Sequence, residues 1–357
     1  MRLSLPASLI LDNGSVFRGY SFGYKKSTAG EVVFNTAMSG YPESLTDPSY
    51  SGQILTFTFP LIGNYGVPST NISNGISDFL ESKKIHTSGI VVSDYSFEYS
   101  HWNAKQSLHD WLESNKIPGI YGIDTRELTK ILRNEGSMKG KIIIDDYKDI
   151  DFIDPNIENQ VAKVSCKEVI EYNNSGKTIV MIDCGVKHNI IRCLLKRGVR
   201  LIRVPWDYDY NSMQFDGLFI SNGPGDPNTC GKTIANIQKT MQSGKPIFGI
   251  CMGNQLLCKA GGAETYKLKY GHRSHNQPVR EVGTNRCFIS SQNHGYAVDN
   301  NTLSKDWEVL FENLNDHTNE GIRHKTMPWF SAQFHPEAAS GPTDTEFLFD
   351  DFLQMIK

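Results

Sequence analysis

A cysteine with a glycine two residues to either side stands in the stretch Lys-Pro-Ile-Phe-Gly-Ile-Cys-Met-Gly-Asn-Gln-Leu-Leu, residues 245–257. The apolar run ending at Gly249 has the character of a buried strand, and the run after Gly253 that of a helix. Cys251 therefore occupies the nucleophile position of a strand-turn-helix elbow, with a thiol in place of the hydroxyl. At so sharp a turn, side chains two residues either side would collide with neighbouring backbone, and glycine removes the collision. The positive end of the following helix favours the anionic form of a thiol held there. A cysteine merely packed into a tight strand-helix turn would give the same pentapeptide, because free cysteine is among the most buried residue types. The two readings part on whether the chain also supplies a base and a group to orient it.

Ten histidines compete for the role of base. His86, His101, His109, His317 and His324 lie in polar or amphipathic surroundings and read as surface residues. His272 and His275 form an H-x-x-H; without a neighbouring cysteine or carboxylate this is a weak metal signal, so a loop role is assigned and no metal is expected. His294, in Gln292-Asn293-His294-Gly295-Tyr296, follows the strand-like Cys287–Ser290. His335, in Ala332-Gln333-Phe334-His335-Pro336-Glu337, follows an apolar run. Pro336 biases His335 towards an extended backbone, in which residues i and i+2 share a side, so Glu337 can orient the imidazole. His294 has no such partner close in sequence, and His335 is favoured.

The elements around these residues fall into two sets. From Ser8 to about Gly140 the pattern is of mixed strands with a few helices. Asn13-Gly14 joins two apolar runs as a hairpin turn. Glu31–Asn35 and Gln53–Phe59 have strand composition, with a turn-rich loop between them at 40–50. Leu108, Trp111 and Leu112, then Leu128, Ile131 and Leu132, follow helical spacing, the second helix opening at a capping-box variant of Asp124 and Glu127. Polar sequence over 151–176, preceded by an acidic cluster, reads as a linker between a first domain at 1–150 and a second at 177–357. After Lys177, strands at 179–183, 200–204, 216–220 and 246–250 alternate with helices. This predicts an α/β domain with a mostly parallel sheet flanked by helices, plus a smaller mixed α/β N-terminal domain. Such sheets bind ligands beyond the carboxyl ends of their strands, where Cys251 and the loop Ser221-Asn222-Gly223-Pro224-Gly225-Asp226-Pro227 both fall.

Size and composition narrow the classes further. The chain has 357 residues, 39% apolar and 21% charged, which suits two globular domains. A net charge of −3 shows no basic footprint for nucleic acid or an anionic membrane. No apolar run approaches a membrane span, and the first residues lack a signal-peptide core, so a cytoplasmic location is expected. Seven cysteines without a C-x-x-C pair suggest neither a disulfide framework nor a thiolate zinc site.

The trio Gly-Ile-Cys-Met-Gly-Asn-Gln, Asn-Gly-Pro-Gly-Asp-Pro and Phe-His-Pro-Glu resembles the class I (triad) glutamine amidotransferases. The earlier stretches Gly-Glu-Val-Val-Phe-Asn-Thr-Ala-Met-Ser-Gly-Tyr-Pro-Glu, Thr-Asp-Pro-Ser-Tyr-Ser-Gly-Gln, Gly-Asn-Tyr-Gly-Val and Gly-Ile-Asp-Thr-Arg-Glu-Leu-Thr resemble the small subunit of glutamine-dependent carbamoyl-phosphate synthetase. The resemblance covers nearly the whole chain. It implies Cys251 as nucleophile, His335 as base and Glu337 as its carboxylate. It further implies glutamine contacts from Ser49, Gly223, Gly225, Met252, Gln255, Asn293, Gly295 and Tyr296, so that the 40–50 loop, carrying Ser49, reaches towards the substrate. The implied activity is glutamine hydrolysis through a thioester, with ammonia delivered to a large subunit that makes carbamoyl phosphate from bicarbonate and ATP for pyrimidine or arginine biosynthesis. ATP and Mg are expected on that partner, with no cofactor in this chain. One departure stands in the elbow, where Asn254 replaces a histidine found in many members. An amidotransferase serving another acceptor, a free-standing hydrolase and a non-catalytic regulatory subunit are the rival readings.

Overall fold

The computed structural model describes residues 5–145, 148–172 and 175–356. Asp146 and Tyr147 of the acidic cluster, Asn173 and Asn174 of the expected linker, and residues 1–4 lie outside them. The chain divides into two compact units, residues 1–157 and 158–357. The division thus falls within the 151–176 stretch, whose later part carries a helix and a strand of the second unit.

The first unit is built on a closed barrel of β1 (Pro6–Leu11), β2 (Val16–Gly23), β3 (Thr28–Asn35), β4 (Gln53–Phe57), β5 (Gly89–Val91), β6 (Pro118–Tyr121) and β7 (Met138–Ile144), in the order β1-β7-β3-β4-β5-β6-β2. The β1-β2 hairpin turns at Asn13-Gly14, with Gly14 at φ +89°. Strand alternation divides the apolar residues between two cores. Val32 and Ile54 join one with Leu128 and Leu132 of α3 (Thr125–Glu135); their neighbours Val33 and Leu55 join another with Leu108 and Trp111 of α2 (Leu108–Ser114). Asp124 caps α3, accepting from the Glu127 amide at 2.9 Å, whereas the Glu127 carboxylate pairs with Lys130 instead of reaching back. The turn-rich 40–50 stretch is not an open loop. It holds α1 (Tyr41–Thr46) and a 3₁₀ turn over Pro48–Tyr50, each opened by a proline whose fixed φ suits the first helical turn.

The second unit contains a ten-stranded sheet. Its strands are β8 (Ile170–Tyr172), β9 (Thr178–Asp183), β10 (Arg200–Pro205), β11 (Gly217–Ile220), β12 (Ile247–Ile250), β13 (Thr265–Glu281), β14 (Cys287–Val298), β15 (Trp307–Asn313), β16 (Asn319–His324) and β17 (Trp329–Ala332), ordered β8-β10-β9-β11-β12-β17-β16-β15-β13-β14. The run β10-β9-β11-β12-β17 is parallel, and antiparallel strands extend it on both sides. After α4 (Gln160–Val164), the helices α5 (His188–Lys196), α6 (Gly231–Gln242), α7 (Met252–Ala260) and α8 (Phe347–Met355) cover it. Leu218, Ile220 and Ile247 pack with Ile237, Leu256 and Leu257 of α6 and α7. Phe219, Phe248 and Phe330 form an aromatic cluster with Phe349 and Phe352 of α8. Consecutive residues thus serve opposite faces, and burying each phenylalanine contributes about 2–3 kcal/mol. In register, Ile182 meets Ile220, Ile220 meets Gly249 and Ile250 meets Ala332, so the carboxyl ends of β9, β11, β12 and β17 finish level.

Candidate active site

Cys251 is the residue between β12 and α7, at φ +53° and ψ −103°. A side-chain-bearing residue is rare in this region, and strain of this kind persists only where the surroundings impose it. The Cys251 amide is tied to the Ala332 carbonyl at 2.8 Å, and its carbonyl accepts from Gln255 at 3.2 Å. The flanking glycines are required by contact. A Cβ on Gly249 would stand 2.4 Å from the Gly253 oxygen, and one on Gly253 would stand 2.2 Å from the Ile220 oxygen. Gly253→Ala is therefore expected to cost about 2–3 kcal/mol, as overpacking against backbone does. Urea unfolding checks this, with Gly231→Ala, which meets nothing within 4 Å, as a control expected within about 0.5 kcal/mol.

The Cys251 thiol lies 3.6 Å from the Asn293 carbonyl oxygen. His335 is fixed by its amide, which donates to the Ser291 carbonyl at 2.8 Å, and its Nδ1 bonds Glu337 Oε1 at 2.7 Å. His335 Nε2 is buried without a hydrogen bond of good geometry, yet Cys251 is near enough to favour the protonated ring. His335 itself is extended, as expected, bridging Ser291 in antiparallel fashion, but the extension stops there: Pro336 and Glu337 form a turn in which the Ala338 amide returns to the His335 carbonyl at 3.0 Å. The turn, rather than strand alternation, brings the imidazole and carboxylate together.

Sequence reasoning missed Lys187, at the start of α5. Its ammonium bonds Glu337 Oε1 at 3.0 Å and also donates to the Ala338 carbonyl. Its placement is explained by Asp183, at the end of β9. Asp183 Oδ1 accepts the Gly185 and Val186 amides at 2.9 and 2.8 Å, while its Oδ2 accepts Arg203 Nη2 at 2.6 Å. The Lys187 amide is then held by Asn222 Oδ1 at 3.1 Å, joining the loops after β9 and β11.

These groups set one another's charge. Burial resists ionisation of Glu337, but Lys187 and His335 outweigh it and hold the carboxyl down to about 2. Burial likewise resists charging His335, and Glu337 outweighs it, so the imidazole is raised well above its ordinary value. The signs follow from linkage. Glu337 contributes stability above the unfolded carboxyl value, and that contribution is lost as pH falls from about 4.5 towards 2. Urea unfolding across this range is expected to show a steeper acid decline for the wild type than for Glu337→Gln.

The other expected residues are placed as follows. Gly223 follows β11 where a Cβ would meet the Cys184 carbonyl oxygen at 2.1 Å, and Gly225 sits at φ +82°. Met252 is the first residue of α7. Gln255 donates to the Tyr296 carbonyl at 3.1 Å and to Gln333 Oε1 at 3.2 Å, which ties the elbow helix to the 293–296 stretch. Gly295 lies between Asn293 and Tyr296 on β14. Ser49 lies in the first unit, in the 3₁₀ turn, with its amide on Asp47 Oδ1 at 2.9 Å. Asn254, at the departure position, is fully buried. It donates to Gln333 Oε1 at 2.9 Å and accepts from the Ser331 hydroxyl at 2.7 Å, so its amide serves the helix-sheet junction.

His294 is placed differently from a base. Its Nδ1 meets the Tyr296 carbonyl at 2.9 Å and its Nε2 meets Gln292 Oε1 at 3.3 Å, and burial pushes its proton affinity far down. His272, expected in a loop, lies within β13, with Asp316 2.8 Å from its Nε2. Burial opposes its charge, but Asp316 and Glu320 raise it to about 9.

A thiol on a strained elbow, beside an imidazole held by a buried carboxylate, on a parallel sheet covered by helices, places the second unit among the class I glutamine amidotransferases; residues 180–355 match the family described as "Glutamine amidotransferase class-I". Residues 9–142 match "Carbamoyl-phosphate synthase small chain, CPSase domain". Each unit thus matches one family model, and together the two matches span most of the chain. Similar relatives are the multifunctional protein pyr1-3 of Dictyostelium discoideum (51% identical, covering 98% of this chain and 17% of the relative), the multifunctional protein CAD of Squalus acanthias (52%, 98% and 16%) and the human mitochondrial "Carbamoyl-phosphate synthase [ammonia]" (49%, 98% and 24%). The chain therefore spans a quarter or less of the length of these relatives. Among the described residues no helix is long and apolar enough to cross a membrane.

Proposed function

We propose that this chain hydrolyses the side-chain amide of L-glutamine and hands the ammonia to a carbamoyl-phosphate-forming synthetase, carried either by a separate large subunit or by the same polypeptide. The observation that carries the reading is the buried line Lys187–Glu337–His335, which ends beside Cys251. The Cys251 sulfur attacks the amide carbon. The backbone N–H of Met252 and one glycine N–H of the 223–225 loop hold the developing oxyanion, each such donor being worth about a hundred- to a thousandfold in rate. His335 gives its proton to the amide nitrogen, ammonia leaves, and a thioester remains. Water then adds, with His335 taking its proton, and glutamate departs. Gln255, Asn293, Gly295 and Tyr296 are assigned to the substrate.

ATP and Mg are assigned to the synthetase, and the product to pyrimidine or arginine biosynthesis. All seven cysteines are free, which suits a reducing compartment, and a cytoplasmic address belongs to the same reading. One relative is named for ammonia, which gives a second reading: a docking module that hydrolyses nothing. The presence of Cys251, His335 and Glu337 together favours hydrolysis. Glutamate release by the purified chain, measured alone and with a synthetase partner, decides; no release under either condition overturns the proposal.

A further inference from the structure

Behind the Asn293–Tyr296 stretch lies a buried cluster that hydrolysis does not use. His272 on β13 and His294 on β14 are register partners, and Gln292, two residues before His294, shares its face. Glu320 on β16 completes the group, and all four are buried. The outer side of each imidazole is engaged: His294 Nδ1 meets the Tyr296 carbonyl at 2.9 Å, and His272 Nε2 meets Asp316 Oδ2 at 2.8 Å. Both partners are acceptors, so the neutral His294 ring places its proton outward and turns a lone pair inward, and His272, which Asp316 and Glu320 favour in its charged form, would present the same inner nitrogen once a cation displaced the proton there. This is the arrangement by which backbone carbonyls and carboxylates prepare histidines for a metal.

Inward, the two ring nitrogens face the Gln292 and Glu320 oxygens, with the Asn313 amide at their edge, its Nδ2 3.2 Å from Glu320 Oε1 and 3.4 Å from His272 Nδ1. His272 Nδ1 lies 2.9 Å from Gln292 Oε1 and 3.3 Å from Glu320 Oε1, and His294 Nε2 lies 3.3 Å from Gln292 Oε1 and 3.8 Å from Glu320 Oε1. The Gln292 amide cannot reverse without losing its Nε2 bond to the Ser290 hydroxyl at 3.1 Å. The proton that Asp316 and Glu320 favour on His272 answers that ring's contacts but leaves His294 Nε2 against Gln292 Oε1. Glu320 Oε2 is moreover buried with no hydrogen-bond partner. A tetrahedral zinc ion with bonds of about 2.0–2.1 Å holds its ligand atoms about 3.3–3.4 Å apart, and the four contacts straddle that spacing.

We infer that His272, His294, Glu320 and Gln292 form a binding site for a tetrahedral divalent cation of the zinc kind. With four protein ligands the site is closed and structural, with no open position for water or substrate. It fastens β13, β14 and β16 behind the strand whose Asn293 carbonyl meets the Cys251 thiol. That consequence rests on the glutamine-hydrolysis reading; the binding itself does not.

The test uses the folded full chain after dialysis against a chelator, with Zn²⁺ and Co²⁺ as probes and no glutamine present. Expected are about one equivalent bound per chain, visible absorption of tetrahedral Co²⁺, and a rise in Tm with metal concentration. Glu320→Gln should weaken binding by about a hundredfold. Should that variant fail to fold, the wild-type titration decides alone. No Co²⁺ absorption and no Tm shift in folded wild type would overturn the inference and assign the cluster to a shared proton. Because the readout is metal rather than glutamate, its failure leaves the proposed hydrolysis standing, and the reverse holds.

Discussion

Cys251→Ser is expected to lower glutamine hydrolysis by roughly four to six orders of magnitude, the scale on which a triad nucleophile is lost. Serine fits the elbow, because the conflict there is met at Gly249 and Gly253 and not at the nucleophile's own side chain. The fold and any docking surface should therefore persist, and a complex assembled with the synthetase should still make carbamoyl phosphate from added ammonia. Glutamate release and ammonia-dependent synthesis, measured on one preparation, check both halves. Loss of both activities would make Cys251 a packing residue, and full glutamine turnover by the serine variant would remove it from the chemistry.

Glu337→Gln is expected to fail twice over. Removing the carboxylate takes away the group that orients His335 and favours its charged form, a loss of about 10²–10⁴ in kcat on the scale of general acid-base catalysis. It also leaves the Lys187 ammonium, 5% exposed, without its counter-charge, which costs about 3–5 kcal/mol in a buried pair. The two losses separate in the double variant Lys187→Met/Glu337→Gln, where an uncharged pair replaces the ionic one. Stability should return towards wild type while glutaminase turnover stays low. Urea unfolding and steady-state kinetics on the three proteins check this; recovery of turnover in the double variant would mean that Glu337 serves stability only.

Legibility in the sequence followed sequence distance. The elbow was legible because its geometry is local: five residues fix a strand end, a turn and a helix start, and both glycine contacts arise there. The strand-helix alternation after Lys177 was legible for the same reason. The barrel was not, because its closure depends on β7 pairing with both β1 and β3, and no local pattern distinguishes a closed sheet from separate strands. The 40–50 stretch was misread as a plain loop since prolines that mark turns also open helices. Lys187 was invisible because its carboxylate lies 150 residues away and its neighbours in sequence suggest only a helix start. His272 was set aside for lacking a carboxylate nearby, and its acids, Asp316 and Glu320, come from beyond two further strands. For His335 and Glu337 the pairing was anticipated from an extended backbone that the chain adopts at His335 but leaves at Pro336, where it turns.

The order of strands carries one more consequence, for the assembly of the molecule over time. β17 is the last strand in sequence yet sits inside the sheet, between β12 and β16. Contacts of such long range form late, after the cost of closing the intervening chain has been met. During synthesis Cys251 emerges well before His335 and Glu337, and the amide anchor of the elbow, the Ala332 carbonyl, belongs to the same late strand. The Cys251 thiol cannot stand beside His335 and Glu337 until β17 has been inserted, so the cluster of the three is completed only at the end of assembly, whatever the elbow has already formed.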